Sequence, residues 1–307
     1  MNAIHNRSHV PAFLINSLPK AGTHLVGKAA GLFPGIHFSG IHIGKQARRT
    51  GGLMTRIIAR LRLLPIDRSI YQLLLEFEGL LPKSSSETMV PIGIVQPRLA
   101  RLSTVECILR WIDRGSFATA HIPFSQALSD VLKKNGMRMI LVLRDPRDVV
   151  ISQAKYVTSR PWHFLFEHYR GLSESEQIRV SITGIRSVPP HGERSLSISE
   201  RLQIILPWMQ EPFTYVTRFE KLVGPQGGGS REEQVQELRN IATHLHIHCS
   251  QEHIERIADS IFGGTATFRR GIIGNWRSCF TEEHKRLFKE VAGQFLIDMG
   301  YEEGFDW

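Results

Sequence analysis

Phe13-Leu-Ile-Asn-Ser-Leu-Pro-Lys-Ala-Gly-Thr-His24 is the stretch whose reading decides the fold. Residues 13–16 read as a buried strand, 17–22 as a tight loop and 23–32 as a helix. Free backbone N–H groups and the helix dipole converge at such a junction and make an anion site. Lys20 adds a mobile positive charge. Taken alone, the stretch fits an ordinary strand-to-helix turn with a solvated lysine as well as it fits a phosphate loop.

Working outward, residues 117–121 read as a short strand ending at His121, before Pro123. A helix over 125–135 stops at Gly136. Residues 137–143 form a nearly continuous apolar run, the mark of a central parallel strand. That run ends abruptly at Arg144-Asp-Pro-Arg-Asp148, and a helix starts at Val149 and runs to Tyr156. A helix over 202–209 and a strand over 213–217 follow, the strand closing on Arg218-Phe219-Glu220. Helices are expected over 231–245 and, capped by Thr281, over 281–299. Strands alternating with helices imply an α/β fold with a three-layer α/β/α arrangement around a central, mainly parallel sheet. Ligands of such sheets sit at the carboxyl ends of the strands. Lys20, His121 and Arg144 each follow such an end.

Residues 37–114 are the least readable. An amphipathic, arginine-bearing helix over 53–64 reads as a surface helix, a substrate lid or a docking element for a membrane or partner. A second helix is expected over 68–80, and a third over 103–113 capped by Ser103 or Thr104. Residues 157–200 are polar, broken by glycine and proline, and read as a long, weakly structured segment, functional or mobile.

Bulk properties narrow the ligand. The chain has 307 residues, 42% hydrophobic content and a formal net charge of +9. That charge favours an anionic ligand, nucleic acid or an acidic membrane surface. The basic residues are scattered and no nucleic-acid motif accompanies them, so a small, highly charged anion explains the balance as well as a polymer would, and no nucleic acid polymer is expected as a partner. No apolar run approaches the ~20 residues of a spanning helix. Three widely spaced cysteines, Cys107, Cys249 and Cys279, suit neither a disulfide framework nor a zinc pattern, and a cytoplasmic protein is expected. The histidines between 244 and 253 lack a carboxylate pair, so no metal is expected.

Leu18-Pro-Lys-Ala-Gly-Thr-His24 lacks Walker A spacing, which disfavours a P-loop kinase or triphosphatase. It resembles the 5′-phosphosulfate loop of sulfotransferases that use 3′-phosphoadenosine 5′-phosphosulfate (PAPS), usually Pro-Lys-Ser-Gly-Thr-Thr-Trp. Four further stretches resemble that family in the same order. Thr119-Ala-His-Ile-Pro123 is similar to its catalytic-histidine strand, and Arg144-Asp-Pro-Arg-Asp-Val-Val-Ile-Ser152 to its 3′-phosphate motif. Arg218-Phe-Glu-Lys-Leu222 is similar to its Arg-Tyr-Glu-Asp-Leu strand end. The run from Phe268 to Thr281 is similar to its Arg-Lys-Gly-x-x-Gly-Asp-Trp-Lys-Asn-x-Phe-Thr signature.

The resemblance implies a single sulfotransferase domain over 1–307, with a P-loop-like 5′-phosphosulfate loop and variable acceptor-covering segments near 37–114 and 157–200. It implies PAPS as donor and PAP, 3′-phosphoadenosine 5′-phosphate, as product. Lys20, Ala21, Gly22, Thr23 and His24 would cradle the phosphosulfate. Arg144, Ser152, Arg269, Arg270 and Gly271 would hold the 3′-phosphate. His121 would be the general base and Lys20 the charge meeting the leaving oxygen. Several positions depart from the family pattern. Leu25 stands for the adenine-stacking tryptophan, with Phe262 as a substitute, and Phe219 for the tyrosine near the nucleotide. Thr119 stands for a lysine and Asn275 for the signature aspartate. The short approach to Arg270 suits a bacterial-type branch. The acceptor would be a hydroxyl-bearing molecule of lipid, aryl or acyl character, free, membrane-associated or on a carrier protein. Phe124, Trp162, His163, Phe164, Phe166 and Tyr169 are its expected liners. A non-catalytic adenosine-bisphosphate-binding scaffold on the same fold is the alternative.

Overall fold

Phe13–Ser17 forms β1, buried along its whole length at the centre of the sheet. In the computed structural model the described residues are 9–44, 87–186, 194–264 and 270–307. The expected helices over 53–64 and 68–80 lie outside them. Within them the other strands are β2 (His37–Ile43), β3 (Met89–Ile92), β4 (Arg98–Arg101), β5 (Ser116–Ala120), β6 (Arg138–Leu143) and β7 (Thr214–Arg218). Five strands make one parallel sheet in the order β2-β5-β1-β6-β7, while β3 and β4 pair as a separate antiparallel hairpin.

Alternation along the strands divides the core in two. Phe13 and Ile15 of β1 face the layer that holds Val26, Leu238 and Ile254. Leu14, between them, faces the opposite layer with Leu128, Ile182 and Leu296. The first layer is built from α1 (Thr23–Leu32), α9 (Arg231–His244) and α10 (Gln251–Ser260). The second contains α2 (Leu102–Leu109), α3 (Gln126–Lys134), α6 (Glu174–Thr183), α7 (Ile198–Ile205) and α12 (Glu282–Asp298). The α4 helix (Pro146–Thr158) leads from β6 along the site. Short helices α5 (Phe166–Tyr169), α8 (Phe219–Leu222) and α11 (Trp276–Cys279) complete the set. No helix among the described residues is long and apolar enough to cross a membrane.

Several expectations are corrected. Residues 157–200 are not weakly structured where described: they hold α5, α6 and the start of α7. Both longer helices open with full capping boxes, Ser173 with Glu176 and Ser197 with Glu200, which fix their starts without strong apolar periodicity. Neither Ser103 nor Thr104 caps α2; its N-cap is Arg101, with no side-chain cap bond. Helix α4 begins at Pro146, not Val149, because the Asp145 side chain accepts from Arg147 N and proline suits a first turn. Strand β2 escaped detection because Gly40 (φ 80°) and a register shift between Phe38 and His42 break its alternation.

The same motif anchors the C-terminus. Arg147 is buried, with Nη2 2.8 Å from Asp145 Oδ2 and Nη1 2.5 Å from Glu302 Oε1. Its guanidinium lies 3.8 Å from the Trp276 ring centroid and 4.5 Å from that of Trp307. Removing one member of a buried ion network leaves the others uncompensated, at about 3–5 kcal/mol. Arg147→Met is therefore expected to lower the free energy of unfolding in urea by a matching amount, and an unchanged value would contradict this role.

Candidate active site

The loop between β1 and α1 is shaped by two residues of positive φ. Lys20 has φ 75° and Gly22 has φ 111°. The turn closes through Ala21 N donating to Leu18 O at 3.1 Å. Thr23 opens α1, and its hydroxyl lies 2.5 Å from that of Ser17. A left-handed lysine costs about 1 kcal/mol or more, a strain that the surrounding contacts must hold. The result is a turn of backbone N–H groups at a helix N-terminus, suited to a tetrahedral anion. His24 stands exposed in the first turn of α1.

Strand β5 delivers His121 beside that loop. Asn16 of β1 grips the next residue in both directions, donating to Ile122 O and accepting from Ile122 N, each at 3.0 Å. His121 N donates to Ile43 O at 2.9 Å. The ring Nδ1 lies 2.8 Å from Ser17 O. A carbonyl can only accept, so Nδ1 carries the proton and Nε2 is the basic nitrogen. Gly44 lets β2 end against this point, since a Cβ there would fall 2.4 Å from His121 O.

Arg144 lies where β6 meets α4, and it acts as a clasp. Its Nη1 donates to Lys20 O at 3.3 Å and its Nη2 to Ile272 O at 3.1 Å. Its guanidinium lies 4.1 Å from the Phe219 ring centroid. Asp148, one helical turn on, lies 3.6 Å from Arg144 Nη2 and accepts from Gly274 N (2.8 Å) and Trp276 N (2.9 Å). Burial pushes the Asp148 carboxyl above its ordinary pKa, against the opposing pull of Arg144. Glu220 is likewise pushed up by burial and accepts from Asp145 N at 2.9 Å. Four sequence motifs are thereby joined at one point.

These residues border one cavity of about 650 Å³. Lys20, Gly22, Thr23, His24, His121 and Arg144 line it, as do Ser152, Phe219, Phe262, Arg270 and Gly271. Ala21 is buried behind the loop, and Arg269 lies outside the described residues. Phe219 is buried against Gly22 and Arg144. Phe262 shares the wall with Leu25, and Lys28 Nζ holds the adjoining Gly263 carbonyl at 3.0 Å.

Of the expected acceptor liners, Trp162, His163 and Phe164 reach the cavity. The others are corrected. Tyr169 is fully buried with its hydroxyl 3.1 Å from Ser181 Oγ, and Phe124 packs edge-on against Trp208. Phe166 is not among the cavity residues either. Sequence reasoning missed His42 and Tyr156. His42 pairs with Thr119 across β2 and β5, and their side chains are hydrogen-bonded through Nδ1 and Oγ1. Tyr156 lies one helical turn beyond Ser152, a spacing that could have revealed it, and Lys20 Nζ sits 4.1 Å from its ring centroid. Of the histidines between 244 and 253, His244 Nε2 donates to Met139 O at 3.1 Å and His253 Nε2 to Leu32 O at 2.9 Å.

No family model matches the chain, and no curated protein matches it by sequence. Solved structures do. The mouse sulfotransferase SULT7A1 complexed with PAP superposes with a TM-score of 0.56 at 15% identity, over 95% of this chain and 86% of that one. Retinol dehydratase in a complex with retinol and PAP superposes with a TM-score of 0.50 at 14% identity, over 94% and 81%. The likeness is one of fold, and it confirms the α/β arrangement expected from the sequence.

Gly22 is the position where the loop tolerates least. A Cβ there would stand 2.9 Å from Phe219 Cδ2, at a φ that side chains avoid. Gly22→Ala is expected to cost about 1–3 kcal/mol of unfolding free energy, read from urea denaturation. The cost should shrink when Gly22→Ala is made in a Phe219→Ala background. Equal costs in both backgrounds would mean that Phe219 does not close over the loop.

Proposed function

We propose that this chain transfers a sulfuryl group from PAPS to a hydroxyl of an acceptor. The observation that carries the reading is the bond from His121 Nδ1–H to Ser17 O. It fixes a basic nitrogen to the strand that feeds the anion loop, so base and anion site form one unit. The fold shared with PAP-bound sulfotransferase structures supports the donor.

The motifs and the residues lining the cavity support the following steps. The loop N–H groups, with Lys20, Ala21, Gly22, Thr23 and His24, receive the 5′-phosphosulfate. Arg144, Ser152, Arg270 and Gly271 supply charge and hydrogen bonds to the 3′-phosphate, with Arg269 assigned to the same set by its motif. Phe262 and Leu25 offer an apolar wall for the adenine. His121 Nε2 takes the proton of the acceptor hydroxyl as its oxygen attacks sulfur. The bond from sulfur to the bridging oxygen breaks, and its electron pair leaves on the 5′-phosphate of PAP. Lys20 and the loop amides stabilise that charge. The acceptor enters between the hairpin residues Ile94 and Gln96 and the aromatic residues Tyr156, Trp162 and Phe164. That wall suits a largely apolar molecule, as retinol is in the retinol dehydratase complex.

His121→Ala should leave PAP affinity within about twofold while lowering the transfer of label from [³⁵S]PAPS to a panel of hydroxyl acceptors by at least ~100-fold. Near-normal labelling by that variant would overturn the assignment of His121.

A further inference from the structure

His163 is a second cavity histidine, and its hydrogen bonding is the reverse of that of His121. It follows α4 and faces Tyr156, ring centroids 5.6 Å apart and perpendicular, while Phe164 stacks on it at 4.7 Å. Leu165 N donates to His163 Nδ1 at 3.2 Å. Nδ1 is thus the acceptor, and the ring proton resides on Nε2. Nε2 bonds no acceptor among the described residues, and the residue lines the cavity.

The ring also stays neutral. Burial, then the nearby charges of Arg160 and Lys20, lower its pKa from 6.5 to about 4. Both cations also lie over Tyr156, Arg160 at 4.2 Å and Lys20 at 4.1 Å from its centroid. Protonation would place a third positive charge beside them, so at neutral pH His163 presents one N–H and no charge. An N–H on this half-buried ring gains a hydrogen bond when a bound molecule supplies an acceptor atom.

We propose that His163 is a specificity-determining residue whose Nε2–H donates to a second oxygen of the acceptor, distinct from the hydroxyl that receives the sulfuryl group. The class of acceptor follows from the walls: a flat or largely apolar hydroxylated molecule that carries a hydrogen-bond-accepting oxygen, carbonyl or ether, on the side away from its reacting hydroxyl. His121 and His163 then divide the work by tautomer, one accepting a proton and the other donating a hydrogen bond. This inference rests on the sulfuryl-transfer reading above.

Two bicyclic phenols of similar shape separate the contributions: 7-hydroxycoumarin, which has a lactone carbonyl, and 2-naphthol, which has none. Transfer from [³⁵S]PAPS is measured for the wild type, His163→Phe and His163→Gln, with PAP affinity titrated in parallel. His163→Phe is expected to lower the ratio of kcat/KM for 7-hydroxycoumarin over 2-naphthol about tenfold, mainly through KM, with PAP affinity unchanged. His163→Gln, which keeps a donor, should retain most of the ratio. An unchanged ratio in His163→Phe, an equal loss in His163→Gln, or a wild type that binds PAP yet labels neither phenol would each overturn the inference. A wild type that fails to bind PAP would instead overturn the sulfuryl-transfer reading beneath it.

Discussion

The hydrogen bond from His121 Nδ1 to the carbonyl of Ser17 links the two halves of the site. It decides a tautomer and a position together. The carbonyl belongs to the last residue of β1, immediately before the anion loop. Any shift of β5 against β1 would therefore move the His121 ring relative to the loop and release its tautomer. The register between these strands is held by the core layers on both faces and, at the very end, by the paired bonds of Asn16 with Ile122. A fully buried asparagine is satisfied there by backbone groups, as its burial requires.

Charge is distributed on a similar plan. The carboxylates of Asp148, which is buried, and Glu220, which is half-buried, lie near the clasp residue Arg144, yet both are occupied by backbone N–H groups. They organise the walls, and the cations Lys20, Arg144 and Arg270 border the open space. A chain of net charge +9 thus places part of its excess around one cavity, where a multiply charged anion gains most. Lys20 is held in a left-handed conformation in which its carbonyl faces Arg144 and its ammonium group lies over Tyr156.

Much of this was legible before any coordinates. Buried parallel strands write themselves as apolar runs, so β1 and β6 could be located from residues 13–16 and 137–143 alone, with Lys20 and Arg144 just past their ends and His121 just past that of β5. Edge strand β2 was not legible, because Gly40 and a bulge disrupt its pattern, and His42 was lost with it. Phe124 and Tyr169 were misplaced because an aromatic residue near a site has the same sequence signature whether it faces the cavity or the core. Only the tertiary partners, Trp208 and Ser181, decide. The opposite tautomers of His121 and His163 are likewise set by a carbonyl and an amide that no spacing rule reveals.

Calorimetric titration of PAP against ATP with Mg²⁺ tests the central claim most directly. If Lys20 and Arg144 serve two phosphate positions as proposed, the cavity should bind PAP at least about tenfold more tightly than ATP, with no requirement for Mg²⁺. Tighter, Mg²⁺-dependent binding of ATP would contradict the assignment of this cavity to a sulfuryl donor.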